Sequence, residues 1–321
     1  MAKESKPLVK KDEIRLAMLG ITPGNGHPFS WSAIFNGYDP EAMAKVPYPT
    51  IPDYLGKEPK ETLRIPGVHV THVCCTGKGE FDAESVSRAS LIPKVVKDPT
   101  EVIGQVDAVV IATDIGSEHV ERARPFVEAG LPVFVDKPLV DNAADLAVFS
   151  RWVAEGRPIM SSSCMRYSKE YAPYRLSTNN LGALRYVNVT TAKKWETYGI
   201  HALESVYPIV GPGFLTARNT GSAERNVVHF KHRKGFDLVV VATYDMVGSG
   251  LMLCGTRGSD VVYAKDSYWS FRKQLESFIE YLRTGVRPYP FAETEELMRM
   301  VIAGIQSRER GGAEIALADI R

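Results

Sequence analysis

Asp136-Lys137-Pro138 sets a carboxylate and an amine side by side where a strand must stop. The residues before it, Leu131 to Val135, are almost all apolar and predict a short buried strand. Proline has no N–H and cannot continue a central strand, so the strand should end at Lys137. Ligands of open α/β sheets bind at that carboxyl end. An amine there can orient a substrate hydroxyl or a cofactor. Taken alone, a loop lysine is more simply a solvated one, and the weight comes from the rest of the chain. The second group with chemical capacity is His201, in the run Trp195 to Glu204. An imidazole titrates near neutral pH and suits a proton step. Glu204 lies one helical turn beyond His201, where it could orient the ring. Trp195, Tyr198 and Tyr207 offer aromatic surface for a sugar, or belong to the core. A histidine at a helix start also serves as a packed or capping residue. His201 and Glu204 could form a metal pair with His229 or His232, but the spacing does not favour it and no metal site is expected.

A third group is the glycine-rich turn after Glu13–Gly20, a predicted strand. Gly20, Gly24, Asn25 and Gly26 precede a helix predicted over Phe29–Gly37, with Ser30 as its cap. Strand, glycine-rich turn and helix can present backbone N–H groups to a pyrophosphate, and an ordinary turn is the alternative. The G-x-G-x-x-G spacing is not intact: Thr22 stands where the second glycine would be, and a side chain there hinders close approach of a diphosphate. A second strand, Val68–Cys75, lacks the acid that holds ribose hydroxyls in NAD-binding folds. Thr76 and Lys78 after it would suit a 2′-phosphate, so NAD and NADP both stay open as the cofactor. Val106–Thr113 reads as a buried parallel strand ending at Ala112 and Thr113. The loop after it runs to His119, Ser117 is a candidate cap, and a helix follows over Val120–Ala129 until Gly130.

Strands alternating with helices in this half predict a doubly wound parallel sheet, a Rossmann domain over residues 1–138. In the second half, Leu181–Thr190, Val227–Lys231, Asp237–Tyr244, Gly250–Gly255 and Asp260–Tyr263 follow as strands. They predict a C-terminal α+β domain, residues 139–321, on an open mixed, largely antiparallel sheet. Helices are expected over Asn142–Glu155, Trp269–Arg283 and Thr294–Arg308. The six prolines between Tyr38 and Pro66 forbid a long helix and predict a surface loop with a short helix near Glu41–Lys45. That insertion could cover a substrate, make an oligomer contact or be decoration.

Lys and Arg number 39 against 38 Asp and Glu, a net charge of +1, so neither a nucleic-acid nor a membrane partner is expected. No apolar run is long enough to span a bilayer, and the lysine-rich start lacks a signal core. Four scattered cysteines do not make a disulfide framework, which predicts a reduced, cytoplasmic protein.

Ala112-Thr113, His119 and the run Ala129 to Pro138 together resemble the Gfo/Idh/MocA family, the relatives of glucose–fructose oxidoreductase and inositol dehydrogenase. The family usually carries Glu-Lys-Pro; Asp136 is a departure, and the family lysine falls on Lys137. The resemblance implies an NAD- or NADP-dependent oxidoreductase of the CH–OH donor type acting on a sugar or polyol. It implies a cis bond before Pro138, and cofactor contacts from Gly20, Thr22, Gly24, Asn25, Gly26, Thr76, Ala112, Thr113, His119, Asp136 and Lys137. It places Arg166 near the substrate with Lys137, Tyr198 and His201. Family members show an aspartate four residues before the histidine and an acid three after it. Glu204 matches the latter, while Thr197 replaces the former and offers only a hydroxyl. Lys137, His201 and Glu204 are the expected catalytic set, with His201 carrying the proton. A homo-dimer or homo-tetramer through the C-terminal sheet is expected. The alternatives are a same-fold lyase or hydrolase with no net redox turnover and a non-catalytic binding or regulatory relative.

Overall fold

A computed structural model describes residues 6–75, 82–248 and 250–320. Two compact units divide the chain. Met1–Asp136, Arg151–Ser161 and Phe271–Tyr289 make the first, and Lys137–Ser150, Ser162–Ser270 and Pro290–Arg321 the second.

The first unit is built on β1 (Ile14–Leu19), β2 (Val68–Cys74), β3 (Lys94–Val95), β4 (Ala108–Ile111), β5 (Val133–Val135) and β6 (Ile159–Ser161). They form one parallel sheet in the order β3-β2-β1-β4-β5-β6. The inner strands read as continuous apolar runs because both of their faces are buried. Segment 151–161 returns to this unit because β6 completes the sheet beside β5. Arg287 and Tyr289 then tie the end of segment 271–289 to the carbonyls of Ile159 and Ser161. The order turns back on itself between β1 and β4, so the loops after these two strands flank the switch point where ligands of such sheets bind.

Three sequence expectations are corrected here. The helix after the glycine turn is His27–Asn36 with Gly26 at its N-cap, and Ser30 is a buried interior residue. Pro28 explains the earlier start, because proline is favoured in the first turn of a helix. The proline-rich stretch has the short helix expected near Glu41–Lys45, as Pro40–Met43, and holds two more that were not expected, Thr50–Leu55 and Lys60–Leu63. Each puts prolines at its start, and Met43, Ile51, Leu55 and Leu63 are buried. Likewise, the helix after β4 runs His119–Glu128, and Ser117 lies in the 3-10 turn before it without capping it.

The second unit carries β7 (Leu184–Ala192), β8 (Phe214–Asn219), β9 (Arg225–His232), β10 (Asp237–Thr243), β11 (Leu251–Gly255), β12 (Ser259–Val262) and β13 (Ile315–Ala316). Their order is β12-β11-β7-β10-β9-β8-β13. Only β7 and β10 pair parallel; the other pairings are antiparallel. Alternate residues are buried, as in Val187 and Val189 or Leu238, Val240 and Ala242. The opposite face leaves Met252, Val261 and Tyr263 exposed beside a shallow cavity of about 380 Å³. No helix among the described residues is long and apolar enough to cross a membrane.

Candidate active site

At the switch point of the first sheet, polar side chains lock the two loops together. Thr22 Oγ1 donates to Asp114 Oδ1 at 2.6 Å, so its hydroxyl turns into the sheet edge. Asn25 Nδ2 donates to Ala112 O at 3.1 Å and to Asp136 Oδ2 at 3.0 Å. Asp136 is fully buried, and the same oxygen lies 2.6 Å from His27 Nδ1. The His27 ring stacks on Trp31 at 4.3 Å. His119, also fully buried, places Nε2 2.9 Å from Thr113 O. Gly20 sits at φ +87°, and a β-carbon there would lie 2.6 Å from Thr113 Cγ2, so only glycine permits this approach of β1 to the end of β4.

These residues offer a dinucleotide an open glycine turn. The Asn25 N–H closes back on Thr22 O at 3.0 Å, with Pro23 and Gly24 at the corner. A β-carbon on Gly24 would meet nothing within 4 Å, which leaves room for a phosphate to approach the backbone. The helix behind the turn contributes less than its sequence promises. His27 N–H goes to Asn25 Oδ1, Pro28 has no N–H, and Phe29 and Ser30 N–H both bond Gly26 O. Over Gly26 lie Tyr48 and Ile51 from the proline-rich stretch. The fit is therefore through the loop backbone rather than the helix N-terminus. Thr76 and Lys78 lie outside the described residues.

The second unit brings two of the expected residues, Lys137 and His201, against the phenol ring of a third, Tyr198. Lys137 Nζ stands 4.9 Å from the centre of the Tyr198 ring, and the His201 ring meets the same ring edge-on at 4.8 Å. The bond between Lys137 and Pro138 is cis. Lys137 is 2% exposed. Lys193, which sequence reasoning missed, donates to Tyr198 Oη at 2.7 Å, with its ammonium 4.4 Å from the ring centre. Lys193 has φ +61°, a left-handed conformation that costs a side-chain-bearing residue about 1–2 kcal/mol. A single π-turn, Trp195–Gly199, follows it, a feature frequent at functional sites. The turn is pinned by Trp195, a core residue whose Nε1 donates to Val301 O at 2.9 Å. Gly199 and Gly304 lie flat against its indole, and a β-carbon on either would come within 2.6 Å of it.

Glu204 does not hold His201 directly, as sequence spacing suggested. It pairs with Arg166 Nε through Oε2, and Oε1 accepts the Ser163 N–H at 3.2 Å. Arg166 NH1 continues to Glu293 at 2.8 Å. Burial pushes the Glu204 carboxyl up, and Arg166 and the Ser163 N–H pull against it. Ser163 in turn lies 2.6 Å from His201 Nδ1. Arg166 is thus a buried partner of two carboxylates. Tyr207, weighed as a sugar-facing ring, is core: its hydroxyl donates to Glu296 at 2.8 Å, and burial pushes the phenol up. Among the described residues no group of three His, Cys, Asp or Glu side chains could hold a metal ion. His229 pairs with Asp237 and His232 with Pro212 O.

Residues 55–156 match the Gfo/Idh/MocA family model, described as an oxidoreductase family with an NAD-binding Rossmann fold. The match covers about a third of the chain. Inositol 2-dehydrogenase of Rhodococcus erythropolis is 34% identical over 127 residues, which is 38% of this chain and 36% of that protein. The chain therefore spans about a third of that relative's length. Among solved structures, a probable dehydrogenase from Thermotoga maritima superposes with a TM-score of 0.73 at 15% identity, covering 96% of this chain and 100% of the other. Scyllo-inositol dehydrogenase of Lactobacillus casei, solved with NAD(H) and scyllo-inositol, gives 0.71 at 10% identity, covering 96% and 100%. At such identities these two show the fold alone, a Rossmann sheet and a mixed sheet in one chain.

Proposed function

We propose that the protein is an oxidoreductase using NAD or NADP and acting on a CH–OH group of a sugar, polyol or related hydroxyl compound. The observation that carries this reading is the meeting of Lys137 and His201 on one ring, that of Tyr198. The family match and the inositol dehydrogenase relative support the redox class and the polyol class. When bound, a nicotinamide supplies the hydride acceptor or donor for the carbinol carbon. Gly20, Thr22, Gly24, Asn25, Gly26, Ala112, Thr113, His119 and Asp136 are the residues that would hold it. The Lys137 ammonium hydrogen-bonds the reacting oxygen and stabilises the negative charge that develops there. His201 addresses the same oxygen, and Tyr198 packs between the two and against the substrate. Arg166 and Glu204 support this set from behind.

Fluorescence titration with NADH and NADPH tests the reading first, followed by absorbance assays with a polyol panel that includes inositols. Binding of one dinucleotide and cofactor-dependent oxidation of at least one polyol are expected. No binding of either at millimolar concentration would remove the enzyme case. A second reading is favoured by one observation, the spent N–H groups of the first helical turn. They suit a non-catalytic binding or regulatory relative that holds a dinucleotide weakly and does not turn it over. Product analysis separates the two, because only the dehydrogenase consumes cofactor. The exposed apolar side chains Met252, Val261 and Tyr263 support a homo-dimer or homo-tetramer through the second sheet.

A further inference from the structure

Ser163 is fully buried, and every partner of its side chain is accounted for among the described residues. Its Oγ accepts the Met165 N–H at 3.1 Å, the usual bond of a serine capping a short turn. The other neighbour of Oγ is His201 Nδ1, at 2.6 Å. Among the described residues the hydroxyl makes no bond to the carboxylate nearby, that of Glu204, whose Oε1 takes the Ser163 backbone N–H and whose Oε2 takes Arg166 Nε. A buried hydroxyl that fails to donate pays the full desolvation penalty of its O–H. The Ser163 proton therefore has one acceptor in reach, the lone pair of His201 Nδ1. A neutral imidazole that accepts at Nδ1 must carry its own proton at Nε2.

We infer that Ser163 is a positioning residue that fixes neutral His201 as the Nε2–H tautomer, so that the resting imidazole is a hydrogen-bond donor to the reacting oxygen, while the hydroxyl proton released on oxidation passes to the Lys137 amine, which returns it on reduction. This rests on the proposed oxidoreductase reading for the identity of the oxygen, but the tautomer does not depend on it. It also changes the role that sequence spacing gives Glu204. The carboxylate acts on His201 at one remove, by holding the Ser163 backbone while Arg166 occupies its second oxygen. A serine does this without placing a charge on the ring, whereas a carboxylate bonded directly to Nδ1–H would favour the opposite tautomer and the imidazolium.

The test is two-bond ¹H–¹⁵N correlation NMR on the full-length protein with no cofactor or substrate added, at a pH where the rings are neutral. The His201 signals are assigned by their loss in His201→Asn. The expected result is an unprotonated Nδ1 and a protonated Nε2, with the two tautomers mixing in Ser163→Ala. A wild-type ring protonated at Nδ1 overturns the inference whether or not the variant folds, as does a Ser163→Ala ring with an unchanged tautomer. Turnover provides the second arm. His201→Asn keeps an N–H donor and should lose about 10-fold in kcat, against about 10²- to 10³-fold for His201→Ala. Equal losses in the two variants overturn the donor role. Full activity in both leaves the tautomer standing and removes His201 from the proposed reaction, so failure of the inference and failure of the functional reading are distinct results.

Discussion

At Lys137 the ammonium is 2% exposed and faces an aromatic ring, so its reach is restricted and its charge is weakly screened. Lys137→Ala should lower kcat/KM by at least about 10²-fold while leaving the far-UV circular dichroism spectrum and melting midpoint nearly unchanged. Steady-state kinetics beside a thermal melt checks both halves. Lys193 is expected to matter through Tyr198. Lys193→Met should lower kcat, and Tyr198→Phe should make the loss from Lys193→Met largely disappear; a double-mutant cycle measures that coupling. Lys137 and His201 were legible in the sequence because the strand-stop proline and the family pattern mark them. Ser163 and Lys193 were not. Ser163 is one of three consecutive serines, and nothing in residue type says which one meets an imidazole. Lys193 owes its place to a left-handed backbone that no spacing rule announces.

The switch point depends on how closely β1 and β4 approach. Gly20→Ala combines a positive φ with a 2.6 Å clash against Thr113 and should cost about 1–3 kcal/mol, read from urea unfolding. Asp107, just before β4, receives Lys11 Nζ at 2.6 Å and the Arg15 N–H at 2.9 Å. Burial alone would raise this carboxyl, but those bonds outweigh it and hold the group below its usual range. A depressed carboxyl stabilises the fold above the unfolded value of about 3.9 and loses that contribution as pH falls through the folded value. Asp107→Asn should therefore lower stability at pH 7 and flatten its decline below about pH 4, as followed by melts across pH. Most strands were readable from apolar periodicity, which is a local signal, but β8 and β13 were not. Of the short helices of 40–63, Pro40–Met43 matches the one expected near Glu41–Lys45, while Thr50–Leu55 and Lys60–Leu63 were masked by the prolines, in a stretch whose apolar residues are spaced to pack rather than to repeat.

For the whole molecule, the proposed assembly makes the last prediction. Val261→Asp with Tyr263→Asp should shift the sedimenting species toward monomer without lowering the melting midpoint of the isolated protomer, since both side chains are exposed. An unchanged sedimentation coefficient would place the interface elsewhere. The two-sheet plan was legible because alternating strand and helix signals give way to strand after strand. The return of 151–161 and 271–289 to the first unit was not, since chain order says nothing about which sheet a late segment completes. Trp195 has a consequence of the same long-range kind. Its indole is wedged between two glycines, Gly199 at the end of the same π-turn and Gly304 on the helix Phe291–Glu309. A lineage that enlarged Gly304 would have to shrink Trp195 in compensation or lose the π-turn bearing Tyr198. Substitutions at these two distant positions should therefore be inherited together among homologues, a covariance that would trace the pocket's scaffold through descent even where the pocket's own residues have drifted.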